Sequence, residues 1–249
     1  MQRYFLTGVQ DAGRLLFSKE DAHHIRRVMR MEEGDRVYTV FPDNKAAVAV
    51  LTIVTDTSVE ARVDEWLAQS TEMPAEVVVA CGLVKGDKFD YIIQKGTELG
   101  AAGFVPFEAE RSIVKWDPKK GIKKTERWQK IAKEAAEQSH RNRIPDVAEP
   151  TSIKQMIEQS SVCDVKIFAY EETAKSGEKT AFYEAVHSLK AGGRIMVVTG
   201  PEGGFSEKEA VQLQEAGFIP CALGPRILRA ETAPLYVLSA ISFYLELKR

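Results

Sequence analysis

From Val77 onward, short apolar runs alternate with stretches whose apolar residues recur at helical spacing. No other feature limits the fold as much. Val77-Val78-Val79-Ala80-Cys81 is continuously apolar, as a strand covered on both faces must be, and Val165 to Tyr170 and Ile195 to Thr199 read as further buried strands. Between them Phe89, Ile92, Ile93 and Leu99 share one helical face that ends near Gly100, and Trp128, Ile131, Ala132 and Ala135 form a stripe along Arg127 to Gln138. Phe104 to Phe107 and Phe218 to Leu223 are shorter strand signals. Strand and helix in alternation predict an α/β fold with a largely parallel sheet.

The first 70 or so residues follow another pattern. Val37 to Phe41 and Ala46 to Val54 flank Pro42-Asp43-Asn44-Lys45, which is turn material, so the spacing predicts a hairpin. Val59 to Val63 alternates as a third strand, and Asp21 to Met31 is more helical. This set suggests a small barrel. Polar residues and a proline between Gln69 and Pro74 mark the boundary. Two domains result, residues 1–70 and 74–249, and a chain of 249 residues accommodates both.

Several function classes fall away. Cys81, Cys163 and Cys221 are odd in number and widely spaced, as buried hydrophobes are, and fit neither a disulfide framework nor a metal site. The apolar run Pro234 to Leu245 is too short to span a bilayer, and nothing at the N-terminus resembles a secretory signal. A cytoplasmic location is expected, with no membrane and no metal partner. The net charge of −2 argues against a polyanion, but its distribution argues for one. Arg111 to Arg143 holds eleven Lys or Arg against four acids, a local basicity suited to nucleic acid. A solvated helix face has the same composition.

Two glycine-proline segments carry the ligand signal. Val198-Thr199-Gly200-Pro201-Glu202-Gly203-Gly204 follows a strand, and Ser206 then opens a helix with Glu209 three residues on, a capping box. The loop therefore lies at the carboxyl end of a strand, where open α/β sheets bind ligands. It lacks the Lys-Ser or Lys-Thr of a nucleotide-triphosphate loop and the spacing of a dinucleotide fingerprint. Glu202 would repel phosphate and suits a neutral or cationic ligand. Leu223-Gly224-Pro225-Arg226 repeats the pattern before Arg229, Glu231 and Thr232 at the start of the last helix. Two such loops form opposite walls of one cleft, or two unrelated turns with a structural ion pair nearby.

These segments together resemble the RsmE family, the 16S ribosomal RNA uracil-N3 methyltransferases of the SPOUT (trefoil-knot) superfamily. GPEGGFSEKE and LGPRILRAETA carry the likeness. So do Ala22-His23-His24 through Arg30, Lys95-Gly96-Thr97-Glu98-Leu99-Gly100 (with Gly96 where alanine is common) and Glu134-Ala135-Ala136-Glu137-Gln138-Ser139 before Arg141. The resemblance implies a PUA-like β-barrel RNA-binding domain, then a SPOUT-type α/β domain with a deep trefoil knot at about 195–235. It implies S-adenosylmethionine held by Thr199, Gly200, Pro201, Glu202, Gly203, Leu223, Gly224, Ile227, Leu228, Arg229, Thr232 and Ala233. It also implies a homodimer with the last helix in the interface; the apolar face of Leu235, Leu238, Ile241 and Leu245 is consistent with that or with a monomer core.

For methyl transfer to uridine N3, Arg229 is the expected stabiliser of developing charge, and Glu231 or Glu202 the proton acceptor. RNA, met within the small ribosomal subunit, is expected on Lys119, Lys120, Lys123, Lys124 and Arg127, with Asp117 to Lys124 as a flexible loop. Arg111, Gln138, Arg141 and Arg143 are expected nearer the target base, and Arg3, Arg14, His24, Arg26, Arg27 and Arg30 in the N-terminal domain. A ribose- or guanine-directed knotted methyltransferase and a non-catalytic RNA-binding protein are the competing readings.

Overall fold

The computed structural model describes residues 1–8, 14–55, 58–114, 116, 118–175 and 177–247, with the side chains at 118–120 and 174 outside that description. The chain divides into two units, Met1–Glu72 with Ala136–Arg143, and Met73–Ala135 with Ile144–Arg249.

In the first unit, β1 (Arg3–Phe5), β2 (Arg14–Leu16), β3 (Arg36–Val40), β4 (Ala46–Val54) and β5 (Val59–Trp66) form one sheet in the order β1-β3-β4-β5-β2. β1 joins β3 in parallel and the other pairs are antiparallel. The expected hairpin is β3–β4, with Asn44 at φ 63 in its turn, a conformation asparagine tolerates better than most residues. Register shifts at Val48/Ala49 and Leu51/Ile53 bend β4. The alternating inner residues, among them Tyr4, Leu15, Val37, Ala49, Leu51 and Ala61, pack with Ile25 into one core. The helical stretch is shorter than expected: α1 (Lys19–His23) passes into a wider turn, His24–Val28.

The second unit is the expected parallel α/β sheet. β6 (Glu76–Gly82), β7 (Gly103–Glu108), β8 (Asp146–Val147), β10 (Val165–Ala169), β11 (Arg194–Thr199) and β12 (Ile219–Cys221) run in the order β12-β10-β11-β6-β7-β8, and β9 (Thr151–Ser152) also pairs with β7. Every pairing is parallel. Both sheet faces are buried, which is why these strands read as unbroken apolar runs. Val77, Val79, Cys81, Ile195 and Val197 point into a core shared with α2 (Lys88–Glu98), α3 (Pro118–Gln138), α6 (Ala181–Ser188) and α8 (Thr232–Ser242). Ala80, Met196, Val198 and Phe168 face the other way, against α4 (Ile153–Gln159) and α7 (Glu207–Glu215), and the short α5 (Glu171–Lys175) follows β10. Each such buried Val, Ile or Phe contributes about 1.5–3 kcal/mol over its exposed state.

One expectation is corrected. Of the expected flexible loop Asp117 to Lys124, residues 118–124 are the first turns of α3, and Asp117 lies outside the described residues. Proline suits a first helical position, and Gly121 makes room for Trp116, whose indole lies 2.3 Å from where a Cβ would stand. Of the apolar face of α8 and the turn beyond it, Leu238 and Ile241 are 0% exposed within the chain's own core, the second of the two readings open for them, while Leu235 and Leu245 are half-buried. Among the described residues, no helix is long and apolar enough to cross a membrane.

Candidate active site

β11 lies between β6 and β10, so its carboxyl end opens beside the ends of β6 and the strand pair β10–β12. The loop after β11 begins at Thr199, whose hydroxyl donates to Cys81 Sγ at 3.2 Å across the β6–β11 pair. Burial pushes the Cys81 thiol up to about 12, against that hydrogen bond, so it stays a neutral packing group. Pro201 is buried and seated on Gly82, where an added Cβ would stand 2.5 Å from Pro201 Cδ and 2.7 Å from its nitrogen. Only glycine permits that approach. The turn closes through Gly204 N–H to Pro201 C=O at 2.9 Å, with Gly204 at φ 67.

The loop's far end is bound on both sides. Ser206 and Glu209 form the expected reciprocal cap of α7. The buried Glu209 carboxylate also accepts the Glu110 N–H at 2.7 Å, and Ser206 Oγ lies 2.8 Å from Glu110 Oε2. Arg111 Nη1 donates to Gly203 C=O at 3.2 Å, while the Arg111 Cβ fills the space a side chain at Gly203 would need. The turn after β7 is thus fastened to the glycine loop.

Glu202 accepts Lys85 N–H at 3.3 Å and Lys88 Nζ at 3.0 Å. The same ammonium lies 3.2 Å from Glu231 Oε2. Burial acts to raise the Glu202 pKa, but hydrogen bonds from its own amide, Lys88 and Lys85, with the Lys88 charge, hold it below the usual carboxylate value. The Lys88 ammonium is raised, chiefly by the Glu202 bond. Lys88 therefore joins the two glycine-proline segments through their carboxylates. Sequence reasoning missed Lys88, Gly82 and Glu110.

The second segment runs from Leu223, packed on the larger core, to α8. Gly224 has φ 97, Ile227 is 78% exposed, and Arg229 C=O receives Thr232 and Ala233 N–H at 2.9 and 3.0 Å. Arg229 itself is exposed, Thr232 exposed and Leu228 half-buried. Turned backbone, two carboxylates and exposed apolar groups suit a cationic ligand with a flat apolar part. A separate hollow at the β12 edge, among Tyr170, Glu178, Ala181 and Ile219, contains none of these residues.

The basic residues sort differently from expectation. Lys123 is exposed; Lys124 Nζ sits 5.1 Å over the Trp128 ring; Arg127 pairs with Asp90. Lys119 and Lys120 lie outside the described side chains. In the first unit, Arg141, expected near the target base, and Arg3, expected on RNA, are buried, 3% and 4% exposed, with their charges turned into the unit. Arg3 donates to Arg141 C=O and Asn142 Oδ1 at 2.8 and 2.7 Å, and Arg141 forks onto Glu72. His24 Nδ1 lies 3.0 Å from Tyr4 Oη, a packing role. Arg14, Arg27, Arg30 and Gln138 are exposed, and Arg26 and Arg143 half-buried.

Residues 71–242 match the model of a family described as an RNA methyltransferase domain, and residues 17–64 that of an RNA methyltransferase PUA domain. The chain is 49% identical over 253 residues to the ribosomal RNA small subunit methyltransferase E of Bacillus subtilis (strain 168), spanning 100% of this chain and 99% of that one. A putative methyltransferase of Legionella pneumophila, solved in complex with the bound cofactor SAM, superposes with a TM-score of 0.84 at 31% identity over 97% of each chain. A ribosomal RNA small subunit methyltransferase E of Neisseria gonorrhoeae, solved bound to S-adenosyl methionine, gives 0.85 at 29% identity over 98% of each.

Proposed function

This chain belongs to the ribosomal RNA small subunit methyltransferase E family, and we propose that it transfers a methyl group from S-adenosylmethionine to N3 of a uridine in 16S ribosomal RNA. A PUA-like domain precedes a SPOUT-like α/β methyltransferase domain. The enzyme is an S-adenosylmethionine-dependent methyltransferase. The observation that carries the site assignment is the convergence of the segments after β11 and before α8 on one ammonium, with Glu202 and Glu231 facing it.

The donor supplies an electrophilic methyl on a sulfonium. The residues present fit it: backbone groups of Thr199 to Gly203 and of Leu223, Gly224 and Ile227 to Arg229 would hold the nucleoside, with Thr232 and Ala233 at the helix start. Carboxylates tolerate the positive charge where phosphate would be rejected. The protein's task is to align N3 with the methyl and to take up negative charge on the uracil oxygens. Arg229 does the second, because it is an exposed cation within this segment. Glu231 or Glu202 accepts the N3 proton.

Lys123 and its neighbours on α3 take phosphates, as do the exposed arginines of the first unit. β11 lies between two strands that both precede it in the chain, which supports a knotted crossing at about 195–235. A homodimer, and location in the cytoplasm, complete the reading; Tyr236 and Phe243, 42% and 61% exposed on and beyond α8, suit the interface.

Unmodified small subunits incubated with the protein and donor, then digested for nucleoside mass analysis, test the reaction. 3-Methyluridine is the expected product. A ribose-methylated nucleoside or a methylguanosine would overturn the assignment. In single turnover with saturating donor, Arg229→Ala should slow transfer by about 10²–10³-fold; an unchanged rate removes Arg229 from the chemistry.

A further inference from the structure

Two carboxylates brought to one place repel each other, and Glu202 and Glu231 come from segments that no strand pairing joins. Lys88 reconciles them, 3.0 Å from one and 3.2 Å from the other. It stands at the first position of α2, and the next residue, Phe89, is 2% exposed and packed on the Trp128 ring at 4.5 Å. The ammonium is therefore projected from an anchored helix, not from a third loop. Lys85 N–H, in the turn before the helix, adds a second grip on Glu202. Glu231 Oε2 is sealed from solvent and, among the described residues, accepts no hydrogen bond, so the Lys88 charge at 3.2 Å is what offsets it.

We infer that Lys88 is a positioning residue of the methyl-donor site, its ammonium clipping Glu202 to Glu231 and so holding the loop after β11 against the segment that leads into α8. This rests on the donor-site reading above. The clip has a charge consequence. Two carboxylates and one ammonium leave one negative charge, which complements a sulfonium and gains nothing from the neutral thioether that remains after transfer. Without Lys88 the loops lose their tie while the site becomes more negative. The cationic donor then recovers part of the lost affinity by charge attraction, and the neutral product does not.

Calorimetric titration of the full chain with S-adenosylmethionine and with S-adenosylhomocysteine tests this. Lys88→Met should weaken the homocysteine derivative about tenfold and the methyl donor distinctly less, with the melting temperature little changed. Lys88→Arg should restore both affinities. Unchanged affinity for S-adenosylhomocysteine in Lys88→Met would overturn the clip. So would equal losses for the two ligands accompanied by a fall in melting temperature, which would make Lys88 a general structural residue. Failure of the unaltered protein to bind either ligand would remove the donor-site reading itself, and the clip with it.

Discussion

At the scale of single residues, the site depends on a close approach that no local pattern encodes. Gly82 ends β6 with Pro201 against it, and a methyl group there would collide with the proline ring and backbone nitrogen at 2.5 and 2.7 Å. The backbone must move to relieve this. Gly82→Ala should cost about 1–3 kcal/mol of stability, the range for overpacking a close-packed interior. It should also weaken donor binding, because Pro201 lies in the loop proposed to hold the donor. Thermal melts and titration calorimetry measure the two effects; a variant that melts and binds like the parent would show that the loop has slack. Glu202, Gly200 and Arg229 could be chosen from sequence because each sits in a distinctive run. Gly82 and Lys88 could not, because their roles arise only when β6 and β11 lie side by side.

Elements were legible wherever their signal is local. The apolar runs gave β6, β10 and β11, and the Ser206/Glu209 spacing gave the start of α7. Glu209 also shows where local reading stops: its carboxylate closes the cap through Ser206 N–H at 2.9 Å and holds Glu110 N–H at 2.7 Å in the turn after β7. Glu209→Ala should therefore cost more than a lost cap, about 1 kcal/mol for the cap and about 1 more for the second bond. Glu209→Gln, which keeps an oxygen acceptor, should cost less in the same urea titration. Equal costs would mean the acceptor atom is not what matters. The start of α3 was misread because lysines and a glycine resemble a loop until Trp116 is seen filling the glycine's space. Gly96 is a comparable case on α2, with the Phe104 ring 2.7 Å from where a Cβ would stand and Leu238 at 3.4 Å. Gly96→Ala should destabilise the fold by about 1–3 kcal/mol, and by less when Phe104→Leu makes room; a penalty indifferent to residue 104 would contradict the packing argument.

For the whole molecule, the question is how a chain of net charge −2 binds a polyanion. The answer lies in which cations are already neutralised. Arg3 and Arg141 are spent inside the first unit, and Arg127 is paired with Asp90. Lys123 is exposed on α3, and Lys124 lies over an aromatic face that leaves its charge intact. Counting basic residues along the sequence treats all of these alike, which is why the basic stretch stands out and the pairing of each member does not. Each lysine that contacts a phosphate releases counterions, so its removal lowers the salt dependence of RNA binding by about 0.7–0.9 in log–log slope. Lys123→Ala should therefore weaken RNA binding and flatten its salt dependence by about that amount. Arg127→Ala should change the slope little, because Asp90 already balances that charge. Binding isotherms for an rRNA fragment between about 50 and 200 mM salt separate the two variants, with donor affinity as the internal control that neither should alter. If Arg127→Ala flattened the slope as much as Lys123→Ala, the Asp90 pair would have to open on RNA binding, and local ion pairing would no longer decide which cations meet phosphate.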